Sequence, residues 1–155
     1  MEFDDSMTIG EARKLLGTLI DKGVQCPCCT QHAKVYRRNI NSKMARTLIR
    51  IYKKSPIGNF IHVPSLDGDN HEASQLEWWG LLIEEKIKRS DGGRAGWWAI
   101  TDLGKSFVLN SCTLPKYALI YDGVCLGTKG ESVNITACLG KKFKYDELMN
   151  NHGET

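Results

Sequence analysis

The sequence predicts an α+β fold: a core of helices and a β-hairpin, with an N-terminal helix and cysteine loop before it and a hairpin with short helices after it. Three observations predict it. Helical spacing recurs over 8–20, 43–54 and 70–79, while the strands come as turn-linked hairpins. Residues 76–108 (LEWWGLLIEEKIKRSDGGRAGWWAITDLGKSFV) pass from a helix end to a strand, a glycine-containing turn, a second strand and a new helix. Asp122-Gly123, between two apolar runs, is a strong two-residue hairpin signal.

The first helix starts at Thr8, which forms a capping box with Glu11. Ile9, Ala12, Leu15, Leu16, Leu19 and Ile20 recur at helical spacing, and Gly23 stops the run. A short cysteine loop follows. Residues 33–40 read as extended, with Val35 and Tyr36 on opposite faces.

Asn41 or Ser42 caps a second helix, 43–54. Met44, Ala45, Leu48, Ile51 and Tyr52 share one face; Lys43, Arg46, Arg50, Lys53 and Lys54 share the other. Pro56 and Gly58 end it, and 60–63 reads as a short strand.

Asp69 with Glu72 makes a second capping box, for a third helix over 70–79 that Gly80 ends. Its buried stripe is Ala73, Leu76 and Trp79, while His71, Ser74, Gln75 and Trp78 point outward. Residues 81–88 and 96–101 pair around the turn 90–93, with Trp98 and Ile100 on one face and Trp97 and Ala99 on the other. Thr101 caps a short helix through 109.

Beyond Pro115, residues 117–121 and 124–126 form the second hairpin, 133–135 adds a strand, and short helices follow at 137–139 and 146–149. The expected units are therefore 1–41, a central unit 42–110, and 111–155 packed on the core.

A hydrophobic share of 41% with 25% charged residues is ordinary for a globular protein. With no membrane-spanning run, and an acidic start lacking a leader's apolar stretch, the expected location is the cytoplasm. The net charge of +3 conceals segregation: residues 31–60 carry eight basic and no acidic side chains, and 61–85 carry six acidic and no basic ones. Such a block favours duplex DNA, another polyanion or an acidic partner, against the alternative of a merely solvated helix face.

Cys26-Pro27-Cys28-Cys29-Thr30-Gln31-His32 holds a Cys-x-x-Cys pair followed by Cys-x-x-His. A two-residue gap lets both thiolates reach one tetrahedral zinc. Zinc at Cys26, Cys29 and His32 is one reading, with a fourth ligand from Cys28, Cys112, Cys125, Cys138, His62 or a second subunit; free, inert thiols are the other. No βαβ pattern surrounds the pair, which argues against a thioredoxin-like role. A glycine-rich phosphate loop, a His-Glu-x-x-His motif and catalytic carboxylate pairs are all missing from the sequence, so a non-enzymatic role is expected.

The run Trp79-Gly80-Leu81-Leu82-Ile83-Glu84, with the return Gly96-Trp97-Trp98-Ala99-Ile100-Thr101-Asp102-Leu103-Gly104, resembles bacterial winged helix-turn-helix regulators of the MarR-like kind. The whole chain also resembles small proteins of phages and mobile elements that carry a CPCC segment. The first resemblance implies that the third helix enters a DNA major groove with His71, Ser74, Gln75 and Trp78, while a wing bearing Lys86, Lys88, Arg89 and Arg94 touches the backbone. It also implies dimerisation on paired half-sites. The third helix departs from that pattern, carrying Glu72 and Glu77 and no basic residue.

The expected function is thus a nucleic-acid-binding regulator or accessory factor of a mobile element. Its phosphate contacts would come from Arg37, Arg38, Lys43, Arg46, Arg50 and Lys53 beside the wing's Lys88, Arg89 and Arg94. The alternative is a phage-encoded protein-binding module, an inhibitor or adaptor of a host nucleic-acid enzyme anchored by Trp78 and Trp97, against the reading in which Trp78 packs under the C-terminal hairpin.

Overall fold

A computed structural model describes residues 6–66, 70, 72–85 and 96–150. The turn at 90–93, Asp69, His71, Lys86, Lys88, Arg89 and Arg94 lie outside the described residues. The fold mixes helices with three small antiparallel sheets.

The chain opens with α1, Ile9–Leu19, whose N-cap Thr8 accepts from the Glu11 N–H. Strands β1, Val24–Gln25, and β2, His32–Ala33, pair around the cysteine turn. Next come β3, Tyr36–Asn39, and α2, Ser42–Lys54, the latter capped by Asn41. Strand β4, Ile61–His62, leads into a one-turn 3₁₀ helix, Val63–Ser65. A longer 3₁₀ helix, Ala73–Trp79, precedes β5, Leu82–Glu84, then β6, Trp97–Ile100, and α3, Asp102–Val108. The hairpin of β7, Leu114–Tyr121, and β8, Val124–Val133, is followed by α4, Ile135–Leu139, and α5, Tyr145–Asn150. No helix among the described residues is long and apolar enough to cross a membrane.

The main core runs continuously from Ile40 to Leu148 and is centred on α2, with Met44, Leu48, Ile49 and Ile51 buried against Leu76, Phe107, Ile135 and Leu139. Two sheets flank it. In one, β6 lies between β4 and β5; in the other, β7 lies between β3 and β8. Strand β3 joins residues of the N-terminal segment to the C-terminal hairpin, with Tyr36 opposite Ile120 and Asn39 opposite Tyr117.

The expected helix over 70–79 is corrected. Its regular part begins at Ala73, it is a 3₁₀ helix, and Glu72 makes no side-chain cap. The reason lies in the spacing of its apolar residues. A 3₁₀ helix has three residues per turn, so positions three apart stack in line. Ala73, Leu76 and Trp79 form one such line and are buried; Glu72, Gln75 and Trp78 are half-buried; Ser74, Glu77 and Gly80 are exposed. Trp78 is therefore not the outward residue that an α-helical wheel makes it, but packs against the core edge.

Alternation also fails along β6, where Trp98, Ala99 and Ile100 are all buried and Trp97 is half-buried. Strand β6 is central in its sheet, and Ala99 stands opposite Ile83 of β5. Ile135 opens α4, capped by Asn134, instead of ending a strand. At the tip of the β7–β8 hairpin both turn residues have positive φ, 50° at Asp122 and 75° at Gly123, the geometry that suits the twist of the flanking strands.

Candidate nucleic-acid interface

The basic side of α2 is largely occupied by the protein itself. The Arg46 guanidinium lies over the Phe143 ring at 4.5 Å. Arg50 Nη1 donates to Asn70 Oδ1 at 3.3 Å, and Lys53 Nζ donates to the Leu148 carbonyl at 2.8 Å. Of the five basic residues on this helix, Lys43 and Lys54 are exposed. The stripe that the sequence offers as a phosphate-binding face is thus partly a seat for the loop at residue 70 and for the C-terminal helices.

Arg37 and Arg38 are exposed on β3, and the pairing of β3 with β7 gives Arg37 new neighbours. Directly paired residues in an antiparallel sheet project to the same side. On one side of this sheet Ala118 and Ile120 are buried, beneath the 3₁₀ helix that carries Trp79. Trp79 Nε1 donates to the Pro115 carbonyl at 2.8 Å and fixes that helix to β7.

The other side carries Arg37, Asn39, Tyr117, Leu119, Tyr121 and Lys129. Arg37, Asn39, Tyr121 and Lys129 are exposed, and Tyr117 and Leu119 are half-buried. The Arg37 guanidinium lies 6.0 Å from the Tyr117 ring centre, and Lys116 Nζ lies 5.6 Å from the same ring. Tyr117, Tyr121 and Lys129 were absent from the sequence-based set of binding residues. Alternation along 117–121 groups the two tyrosines, but only the long-range pairing with 36–39 adds Arg37 to them.

At one end this sheet opens into a cleft of about 640 Å³ bordered by Asn41, Lys116, Cys138, Lys141 and Lys142, with Glu131 opposing them. Lys116 Nζ is 3.5 Å from Glu131 Oε1. Burial pushes the Cys138 thiol up to about 11, with Lys116 opposing the shift. Cys138 is therefore a neutral thiol at physiological pH.

Of the residues expected to read bases, Ser74 is exposed beside the acidic Glu77, and Gln75 is half-buried. The tryptophans expected as protein anchors are both half-buried. Trp78 stands 6.2 Å from Trp79, ring to ring, and Trp97 stands 5.2 Å from His62.

The cysteine turn is separate from this surface. Cys28 and Cys29 are exposed and Cys26 is partly buried. The backbone N–H groups of Cys29 and Cys28 donate to the Cys26 sulfur and, helped by the thiols of the same residues, lower its pKa, a trend that burial only partly opposes. His32, expected as a third zinc ligand, is not gathered with the pair: its ring lies so close to Gly23 that a Cβ there would meet Cε1 at 2.8 Å. Among the described residues there is no group of three His, Cys, Asp or Glu side chains able to hold a metal ion.

Comparison with protein-family models, with curated proteins and with solved structures finds no match.

Proposed function

We propose that the chain is a nucleic-acid-binding protein, a regulator or accessory factor rather than an enzyme, and that its ligand lies on the open face of the β3–β7–β8 sheet. The observation that carries this reading is the placement of Arg37 over Tyr117, with Tyr121 and Lys129 on the same uncovered face. Tyrosine rings and guanidinium planes are stacking surfaces for unpaired bases, and the adjacent cations attract the phosphate backbone. Such a face favours single strands, whereas the acidic 3₁₀ helix is a poor candidate for a major groove.

The fold reading that accompanies it is a winged helix, with β5 and β6 as the stems of the wing. Its support is the order β4–β6–β5, the left-handed Gly80 between helix and wing, and Thr101 capping the helix that follows. The alternative of a host-protein adaptor has less support, because Trp78 and Trp97 are half-buried rather than free anchors.

The test is binding of single-stranded and duplex oligonucleotides at two salt concentrations. We expect tighter binding to the single strand and an affinity that falls with salt. Replacing Tyr117 by Ala should cost about 1–3 kcal/mol, the usual worth of one stacked base. Replacing Arg37 by Ala should lower the salt slope by about 0.7, the share of one phosphate contact on a single strand. Equal affinity in the two variants and the parent would refute the proposed face.

A further inference from the structure

We propose that Cys26 and Cys29 form half of a tetrahedral zinc site, and that a second copy of this chain completes it with the same two residues. Zinc would then link two molecules through their cysteine turns. The inference is independent of the nucleic-acid reading.

The turn is built as a ligand turn. Val24 and Gln25 pair with Ala33 and His32, and beyond that pairing the Cys26 N–H donates to the Gln31 carbonyl at 2.7 Å. The Thr30 N–H donates back to the Cys26 carbonyl at 2.9 Å, with Thr30 at φ 63°. This closure holds residues 26–30 in one tight turn, the kind of loop in which a Cys-x-x-Cys pair reaches a single ion. The two-residue gap between Cys26 and Cys29 is the spacing that knuckle ligands use, and Cys28 lies inside that gap.

Within one molecule the other candidate ligands are engaged elsewhere. The Cys125 sulfur is 3.8 Å from the Trp78 carbonyl and 3.4 Å from that of Gly127. Cys138 borders the cleft beside α4, and Cys112 packs on the main core. His62 Nδ1 bonds to Ser65 Oγ, and His32 lies against Gly23.

Structural zinc is almost always four-coordinate. A turn offering two thiolates therefore needs a second pair, and a two-fold axis supplies an identical one with no further sequence requirement. The turn is accessible for this, since Cys28 and Cys29 are exposed and Val24 and Ala33 beneath it stand outside the main core.

Native mass spectrometry of the full chain, purified with zinc under reducing conditions, tests the proposal. The expected species is two chains with one zinc, which a chelator converts into metal-free monomers. Cys28→Ser should retain this species, while Cys26→Ser and Cys29→Ser should both lose the zinc and the dimer. Titration of the unaltered chain with cobalt(II) guards against variants that misfold: its thiolate absorption should saturate at half an equivalent per chain. One zinc on a single chain, a dimer indifferent to chelator, no bound zinc, saturation at a full equivalent, or loss of the dimer in Cys28→Ser would each overturn it.

Discussion

The Arg46 guanidinium lies 4.5 Å from the centre of the Phe143 ring, a contact spanning most of the distance between α2 and the C-terminus. It converts a charge that the sequence assigns to a partner into part of the protein's own packing. Arg46→Ala should lower stability by about 1–2 kcal/mol, through the lost cation–π contact and the packing of its aliphatic stem. Phe143→Ala should share that loss. Denaturant unfolding of both single variants and the double variant measures the coupling, and additive losses would show that the contact contributes nothing. Nucleic-acid affinity should be unaffected by Arg46→Ala.

Trp79→Phe removes the 2.8 Å bond to the Pro115 carbonyl while keeping most of the buried ring. Leaving that carbonyl without its donor should cost about 1–3 kcal/mol. Thermal unfolding checks it, and an unchanged midpoint would show that the bond does not hold the 3₁₀ helix to β7.

Gly104→Ala should be more damaging than its one added methyl group implies. A Cβ at this position would stand 2.3 Å from the Leu81 carbonyl oxygen and 2.6 Å from Ile100 Cγ1. The first of these is backbone and has no rotamer to yield. A loss at the upper end of the roughly 1–3 kcal/mol typical of overpacking is expected from denaturant titration. Gly123→Ala meets no atom within 4 Å, but its φ of 75° adds backbone strain.

Cys138 links stability to pH at the alkaline end. Its thiol ionises near 9 when unfolded and at about 11 in the folded chain, because burial disfavours the thiolate. The unfolded chain therefore releases this proton first as pH rises. Stability due to the neutral thiol is intact below pH 9 and is lost progressively between about 9 and 11. Urea midpoints measured across that interval should fall, and Cys138→Ala should flatten this part of the curve. At neutral pH, alkylation should reach the exposed Cys28 and Cys29 well before Cys138.

How much was legible from sequence depended on the range of the interaction involved. The Thr8, Asn41 and Thr101 caps and the Asp122-Gly123 turn are local, and each is present as the residue types require. The 70–79 segment was misread because α-helical and 3₁₀ periods differ by only 20° per residue over a short run. That small difference moves Trp78 from the outer face to the core edge. The roles of Arg46 and Lys53 were out of reach for another reason. Their partners, Phe143 and the Leu148 carbonyl, lie more than ninety residues away, and nothing in a helical wheel reveals what arrives from that distance. The Arg37–Tyr117 pair was hidden in the same way. In the cysteine turn the two-residue gap is readable, but the packing of His32 on Gly23 is not.

The pairing of Tyr36 with Ile120 also sets a timetable for the chain during its synthesis. At about 5–20 residues per second, β3 leaves the ribosome roughly ten seconds before its partner strand exists. In that interval its backbone donors and acceptors have no sheet to join and are open to other chains. A chain stopped after α3 would keep β3 in that state permanently. Translation that stalls between the two strands should therefore yield aggregates rather than a smaller folded protein.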